Sequence, residues 1–154
     1  GLNYRSGPRD APAAVREASR LIRRVHPISG IDPCGLCNVA DLGDAPVNPL
    51  DKDDSIRRIE AFFAGLKGMG IRPIAIGGDH TVPHPILRAL AAERPVGIVQ
   101  IDSHPDTLDE LCGTRINHAT FVRRAVEERD QRAPQELRSV RAIERDPRHD
   151  DRPD

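Results

Sequence analysis

Two short stretches carry most of the side chains able to do chemistry. The first is Gly77-Gly78-Asp79-His80 and the second is Asp102-Ser103-His104-Pro105-Asp106. Carboxylates and imidazoles together suit Mn, Zn or Fe(II). Three such groups within five residues are too polar to bury without a partner, and a metal ion supplies one. It would also lower the pKa of a bound water and so provide a nucleophile at neutral pH. Alternation along an extended chain sends Asp102, His104 and Asp106 to one side, where His80 can join them. Taken alone, Asp79-His80 is ordinarily a helix cap followed by a surface histidine, and 102–106 is a solvated loop. The occurrence of both on consecutive elements favours the metal. His84 has no such company and reads as a surface residue. His118, in Ile116-Asn117-His118-Ala119-Thr120, opens an expected helix, and an imidazole there can exchange a proton near neutral pH.

The elements around these residues must bring them to one edge. Ile71–Ile76 and Val96–Ile101 are apolar runs that read as strands buried on both faces. The first ends at Gly77-Gly78, where missing side chains let the backbone turn sharply. The second runs straight into Asp102. Helices are expected over Thr81–Ala92, starting near Pro83 or Pro85, and over Ala119–Glu128. Upstream, Asp51 to Asp54 open a helix with acids where its dipole favours them. Ile56, Ile59, Phe62, Phe63, Leu66 and Met69 form its apolar stripe, closed by Gly68 and Gly70. A first helix carries Val15, Ala18, Leu21, Ile22 and Val25, with Asp10 as N-cap, Pro12 in the first turn and Pro27 as its end. Val39–Leu42 is a weak strand. From residue 38 the order alternates strand and helix, which predicts an α/β fold: a three-layer parallel sheet with helices on both faces. Ligands bind such sheets beyond the carboxyl ends of the strands, where both acid–histidine stretches begin.

The chain has 154 residues, 38% apolar and 31% charged, with 3% aromatics and no Trp. That is enough for one domain with a core of Ile, Leu, Val and Ala. A net charge of −1 argues against a general nucleic-acid binder. No apolar run approaches the roughly 18 residues that span a bilayer, and no signal-peptide pattern opens the chain, so a cytoplasmic protein with no membrane partner is expected. A Gly at position 1 reads as a fragment boundary. Cys34 and Cys37 form a Cys-x-x-Cys pair in a Pro/Gly loop. With Cys112 as the only further thiol, they read as two small, half-buried thiols, the alternative being a redox pair or half a zinc site. No Gly-x-Gly-x-x-Gly or Walker lysine supports a nucleotide-binding module. Residues 1–128 are expected to form the domain. Residues 129–154 hold seven arginines and seven acids but only five apolar residues. They read as a disordered or aberrant tail, with at most a short helix over Gln135–Glu144.

The runs "IGGDHTVPHPILRAL", "GIVQIDSHPDTLDE" and "INHATFVRRAVEE", in this order, resemble the ureohydrolases, the arginase and agmatinase family. The agmatinase or guanidinobutyrase side is the closer match, and "RSGPRDAPAAVREAS" and "VADLGDAPV" resemble the family's N-terminal half. Deacetylases of related fold fit less well. The resemblance covers about residues 5–128 and is specific because three motifs occur in order. It implies an arginase-like fold, incomplete at the C-terminus, and two Mn2+ ions bridged by a hydroxide. That hydroxide attacks a guanidinium carbon and releases urea and an amine. By position, His80 would bind one Mn2+ and His104 the other, with Asp102 bridging both. Asp106 would bind the first ion and accept a hydrogen bond from the hydroxide, and His118 would shuttle protons near the leaving amine. A small guanidino substrate and a homo-oligomer are implied as well. Arginases proper carry Asn where this chain has Leu108, which favours agmatine or 4-guanidinobutyrate, with Asp109 and Arg115 near the substrate tail. The family's later Ser-x-Asp-x-Asp-x-x-Asp-Pro segment and its guanidinium-seating Glu do not occur here. Two expectations follow: an agmatinase-type hydrolase, or an inactive truncated or frameshifted remnant lacking the C-terminal metal-binding Asp pair.

Overall fold

The computed structural model describes residues 7–132, with side chains through Glu128. Along it run a 3-10 turn at Gly7–Asp10 and the helices α1 (Ala11–Ser19), α2 (Pro33–Leu36), α3 (Lys52–Gly68), α4 (Pro83–Leu90) and α5 (Phe121–Arg132). None of these helices is long and apolar enough to cross a membrane.

α3 begins where acids cap it. The Asp51 carboxylate accepts the Asp54 N–H at 2.9 Å, and Asp53 and Asp54 add negative charge to the first turn. Ile56, Ile59, Phe63 and Leu66 are its buried residues, spaced three and four apart on one face. Met69 lies past the last turn and is exposed. Gly70 takes a φ of 72°, and the Ile71 N–H reaches back to the Leu66 carbonyl at 3.1 Å, so the chain leaves the helix in a reversing turn.

α3 packs on α4, and α4 packs on α5. The core is small: Ile59, Phe63 and Leu66 from α3 meet Ala89 of α4, with Ala45, Phe62 and Ile86 against them. An ion pair from Arg88 to Glu60, 3.0 Å, spans α4 and α3. His84, expected on the surface, is fully buried. It sits on the inward face of α4 with Pro85 and Ala89. Its Nε2 lies 3.0 Å from Glu128 Oε1 on α5, which supplies the polar partner that burial demands. The sequence offered no neighbour for His84 because Glu128 is distant along the chain.

The first helix is shorter than expected, and the expected strands show no pairing among the described residues. α1 stops at Ser19, and Leu21 and Ile22 beyond it are exposed. A helix needs a packed face to persist, and this one has none there. α1 is held through Arg16, whose guanidinium lies 2.7 Å from Asp41 and 2.9 Å from Asp44. Val39–Leu42, expected as a weak strand, has no ladder partner among the described residues. The segments 71–76 and 96–101, expected as parallel strands, have no ladder partner among the described residues. Ile74, Val99 and Ile101 are 91%, 91% and 97% exposed. β-branched composition alone does not hold a strand without a paired edge and a covered face.

The Gly77-Gly78 turn leaves the first of these segments. A Cβ on Gly78 would lie 1.6 Å from the Pro8 carbonyl oxygen, so only glycine lets the 7–10 turn lie against this loop. α5 continues to Arg132. The tail expectations for 133–154, including the helix over 135–144, lie outside the described residues.

Candidate metal centre

The ends of the two apolar segments meet in space. His80 Nδ1 lies 2.7 Å from Asp106 Oδ2 and 3.4 Å from Asp102 Oδ2. One ligand atom from each of His80, Asp102 and Asp106 can be chosen so that all lie within 4.8 Å of one another. Among the described residues this is the one such group of three. A cavity of about 320 Å³ opens beside it, lined in part by Gly77, Gly78, His80, Pro83 and Asp102.

Each side chain is placed by its local backbone. Asp79 turns the chain after the glycines, its carboxylate accepting the Thr81 N–H at 2.8 Å. His80 follows, and its ring packs against Phe121 at the start of α5, with centroids 4.6 Å apart. Asp102 Oδ1 accepts the His104 N–H at 2.9 Å. That bond holds the Asp102 carboxyl below the usual carboxylate range, and the nearby His80 adds to the effect. Asp106 is buried and takes a φ of 51°, a left-handed conformation that costs a non-glycine residue energy.

His104 does not join the group. The hydrogen bond from its own N–H to Asp102 closes a local Asx turn, which breaks the alternation expected to send both side chains to one side. Its side chain is 79% exposed, with Nδ1 3.7 Å from Asp102 Oδ1. His118 is half-buried at the approach to α5, and its Nδ1 is buried without a hydrogen-bond partner. Asp109 and Arg115 pair with each other at 3.0 Å. Asp109 also receives Arg124 and Arg123 of α5. Hydrogen bonds from Arg124, then Arg115, hold its carboxyl below the usual range.

The loop that carries His118 has a frame the sequence reading missed. Asn117 is buried; its amide donates to the Thr114 carbonyl at 2.8 Å, and its Oδ1 accepts the Ala119 N–H at 2.9 Å. The fully buried Thr120 accepts the Asn117 N–H at 3.0 Å and donates to the Arg115 carbonyl at 2.9 Å. Lys52 of α3 donates to the Ile116 carbonyl at 3.0 Å. The signal was present: Asn and Thr flanking a helix start are capping residues. Phe121 was missed too, because nothing local marks a ring that will stack on a distant histidine.

The donor set suits a divalent cation. One imidazole and two carboxylates face one another, and the buried Asp106 Oδ2 lies 2.7 Å from His80 Nδ1. An imidazole and carboxylates gathered this closely are the donor types that divalent cations take.

Residues 1–147 match the model of the arginase family. The chain is 50% identical over 129 residues to a guanidinopropionase of Pseudomonas aeruginosa, covering 83% of this chain and 41% of that protein. It is 41% identical to a guanidinobutyrase of the same organism, over 83% of this chain and 40% of that protein. Its structure resembles the proclavaminate amidino hydrolase of Streptomyces clavuligerus, with a TM-score of 0.74 and 34% identity, covering 83% of this chain and 43% of that one. It resembles a putative agmatinase of Clostridium difficile in fold, with a TM-score of 0.76 at 22% identity, covering 82% and 46%. The chain thus spans about two-fifths of the length of the curated relatives it matches. On the family match over residues 1–147 and the shared fold, the chain belongs to the arginase family.

Proposed function

We propose that this chain carries part of the site of a metal-dependent hydrolase that converts a small guanidino compound into urea and an amine. One observation carries the reading: in a chain of this family, His80, Asp102 and Asp106 converge, with the buried Asp106 Oδ2 facing the His80 ring nitrogen at 2.7 Å. These three residues would hold the cation, with His104 as a fourth ligand if its side chain turns inward. Mn2+, two ions per site, is the metal we infer. When bound, it would supply a water acidic enough to act as a nucleophile at neutral pH.

In this reading Asp106 accepts a hydrogen bond from the attacking water and directs its lone pair at the guanidinium carbon. His118 delivers a proton to the departing amine nitrogen, so that the C–N bond breaks to a neutral amine rather than an amide ion. Phe121 keeps the His80 ring from swinging away, and Asn117 and Thr120 hold the loop that presents His118. The relatives named guanidinopropionase and guanidinobutyrase, together with Leu108, favour a substrate without an α-amino acid head. The proposal extends to a cytoplasmic homo-oligomer without nucleic-acid or membrane partners, and to 71–76 and 96–101 as neighbouring strands of a parallel sheet in the full-length fold.

A second reading has its own support. His104 is 79% exposed and outside the cluster, which favours a non-catalytic remnant that binds metal without turnover. Titration with Mn2+ followed by urea assays on 3-guanidinopropionate, 4-guanidinobutyrate and agmatine separates the two. Metal binding with urea from at least one substrate supports the hydrolase. Metal binding without urea from any of them supports the remnant.

A further inference from the structure

The Cys-x-x-Cys pair lies outside the metal centre, and the structure places it differently from the sequence reading. Cys34 and Cys37 are exposed and unbridged, not half-buried. They are joined by one helical turn, α2, whose frame is well defined. Asp32 caps it, its carboxylate accepting the Cys34 N–H at 3.0 Å. The Cys37 N–H donates to the Pro33 carbonyl at 2.8 Å, and the Leu36 N–H to the Asp32 carbonyl at 3.2 Å. Arg24 lies 2.8 Å from the same Asp32 carboxylate and ties the turn to the chain before it. A Cβ on Gly35 would lie 3.3 Å from Asp32 Oδ2, so the small residue between the cysteines leaves that carboxylate close to the turn. Helix geometry sets residues three apart at about 5 Å between Cα atoms, inside the range of about 4.4–6.8 Å that a disulfide spans.

We propose that Cys34 and Cys37 form a reversible dithiol–disulfide couple, a modification site separate from the metal centre. With glutathione disulfide as oxidant, the thiolate of one cysteine attacks a glutathione sulfur and displaces one glutathione thiolate, giving a mixed disulfide. The thiolate of the other cysteine then attacks the protein sulfur of that bond and displaces the second glutathione. Two protein thiols are oxidised, one glutathione disulfide is reduced to two glutathiones, and two protons leave with the products. The second step is intramolecular, and the capped turn keeps the attacking sulfur at high effective concentration.

The test uses the whole chain, equilibrated in glutathione redox buffers, quenched by alkylation and read by intact mass and peptide mapping. The expected product links Cys34 to Cys37 with the loss of two hydrogens and carries no glutathione on either, while the exposed Cys112 stays outside the bridge, alkylated or bearing glutathione. Cys112→Ser leaves this product unchanged. Cys34→Ser and Cys37→Ser each abolish it and give a stable glutathione adduct on the remaining cysteine. Stable adducts on both cysteines of the parent chain, no oxidation of either thiol in excess glutathione disulfide, or a bridge to Cys112 would overturn the proposal. Because the parent chain alone gives the decisive product, poor folding of a variant does not obscure the result.

Discussion

At the scale of single residues, the centre depends on local turns as much as on residue type. Asp102 spends one oxygen on the His104 N–H and turns the other toward His80, 3.4 Å away. Asp106 reaches the same point from a left-handed backbone, with φ 51°. His80, Asp102 and Asp106 were legible in the sequence because acids and imidazoles crowd the ends of apolar runs. His104 stands outside the cluster because its N–H closes an Asx turn onto Asp102, a choice between competing local hydrogen bonds that alternation does not encode. His84 shows the same limit: its partner Glu128, 3.0 Å away, is brought by packing and not by spacing. We expect His84→Ala to take from Glu128 its buried imidazole partner and to destabilise the chain by about 2 kcal/mol, read by urea denaturation. An unchanged midpoint would show that the buried pair contributes nothing.

At the scale of elements, α3, α4 and α5 came through clearly because capping acids, apolar stripes and prolines are local signals. The same locality limits what an apolar run can say about its neighbours. An apolar run such as 96–101 says that something must cover it, but not what. Phe63 is the largest side chain in the small core that α3 and α4 share. Phe63→Ala should cost about 3 kcal/mol or more, measured as a lowered denaturation midpoint, and a loss under about 1 kcal/mol would mean that these helices are not the core. The loop between the centre and α5 is clamped by Asp109, which receives Arg115, Arg123 and Arg124. Its carboxyl is held low by Arg124 first. A depressed carboxylate stabilises the fold above its unfolded value of about 3.9 and loses that contribution as pH falls through the folded value. Asp109→Asn should therefore lower Tm at neutral pH, and the gap from the parent should close as pH drops below about 4. A gap independent of pH would assign the effect to shape, not to charge.

At the scale of the whole molecule, the chain combines a modest helical core with exposed apolar segments that converge on a polar cluster. The family was legible from three ordered motifs, since their spacing reflects which loops meet. The alternation of strand and helix pointed to a parallel sheet, whose ladder is not seen among the described residues, and its hydrogen bonds depend on long-range partners that local sequence does not specify. What joins these scales is the claim that His80, Asp102 and Asp106 form a cation site. Isothermal titration of the full chain with Mn2+ tests it most directly, comparing the parent with His80→Ala and with Asp106→Asn, a substitution that keeps a side chain tolerant of left-handed backbone. Mn2+ should bind the parent, and each variant should lose about tenfold or more in affinity with helical circular dichroism retained. No Mn2+ binding by the folded parent, or equal binding by all three proteins, would contradict it.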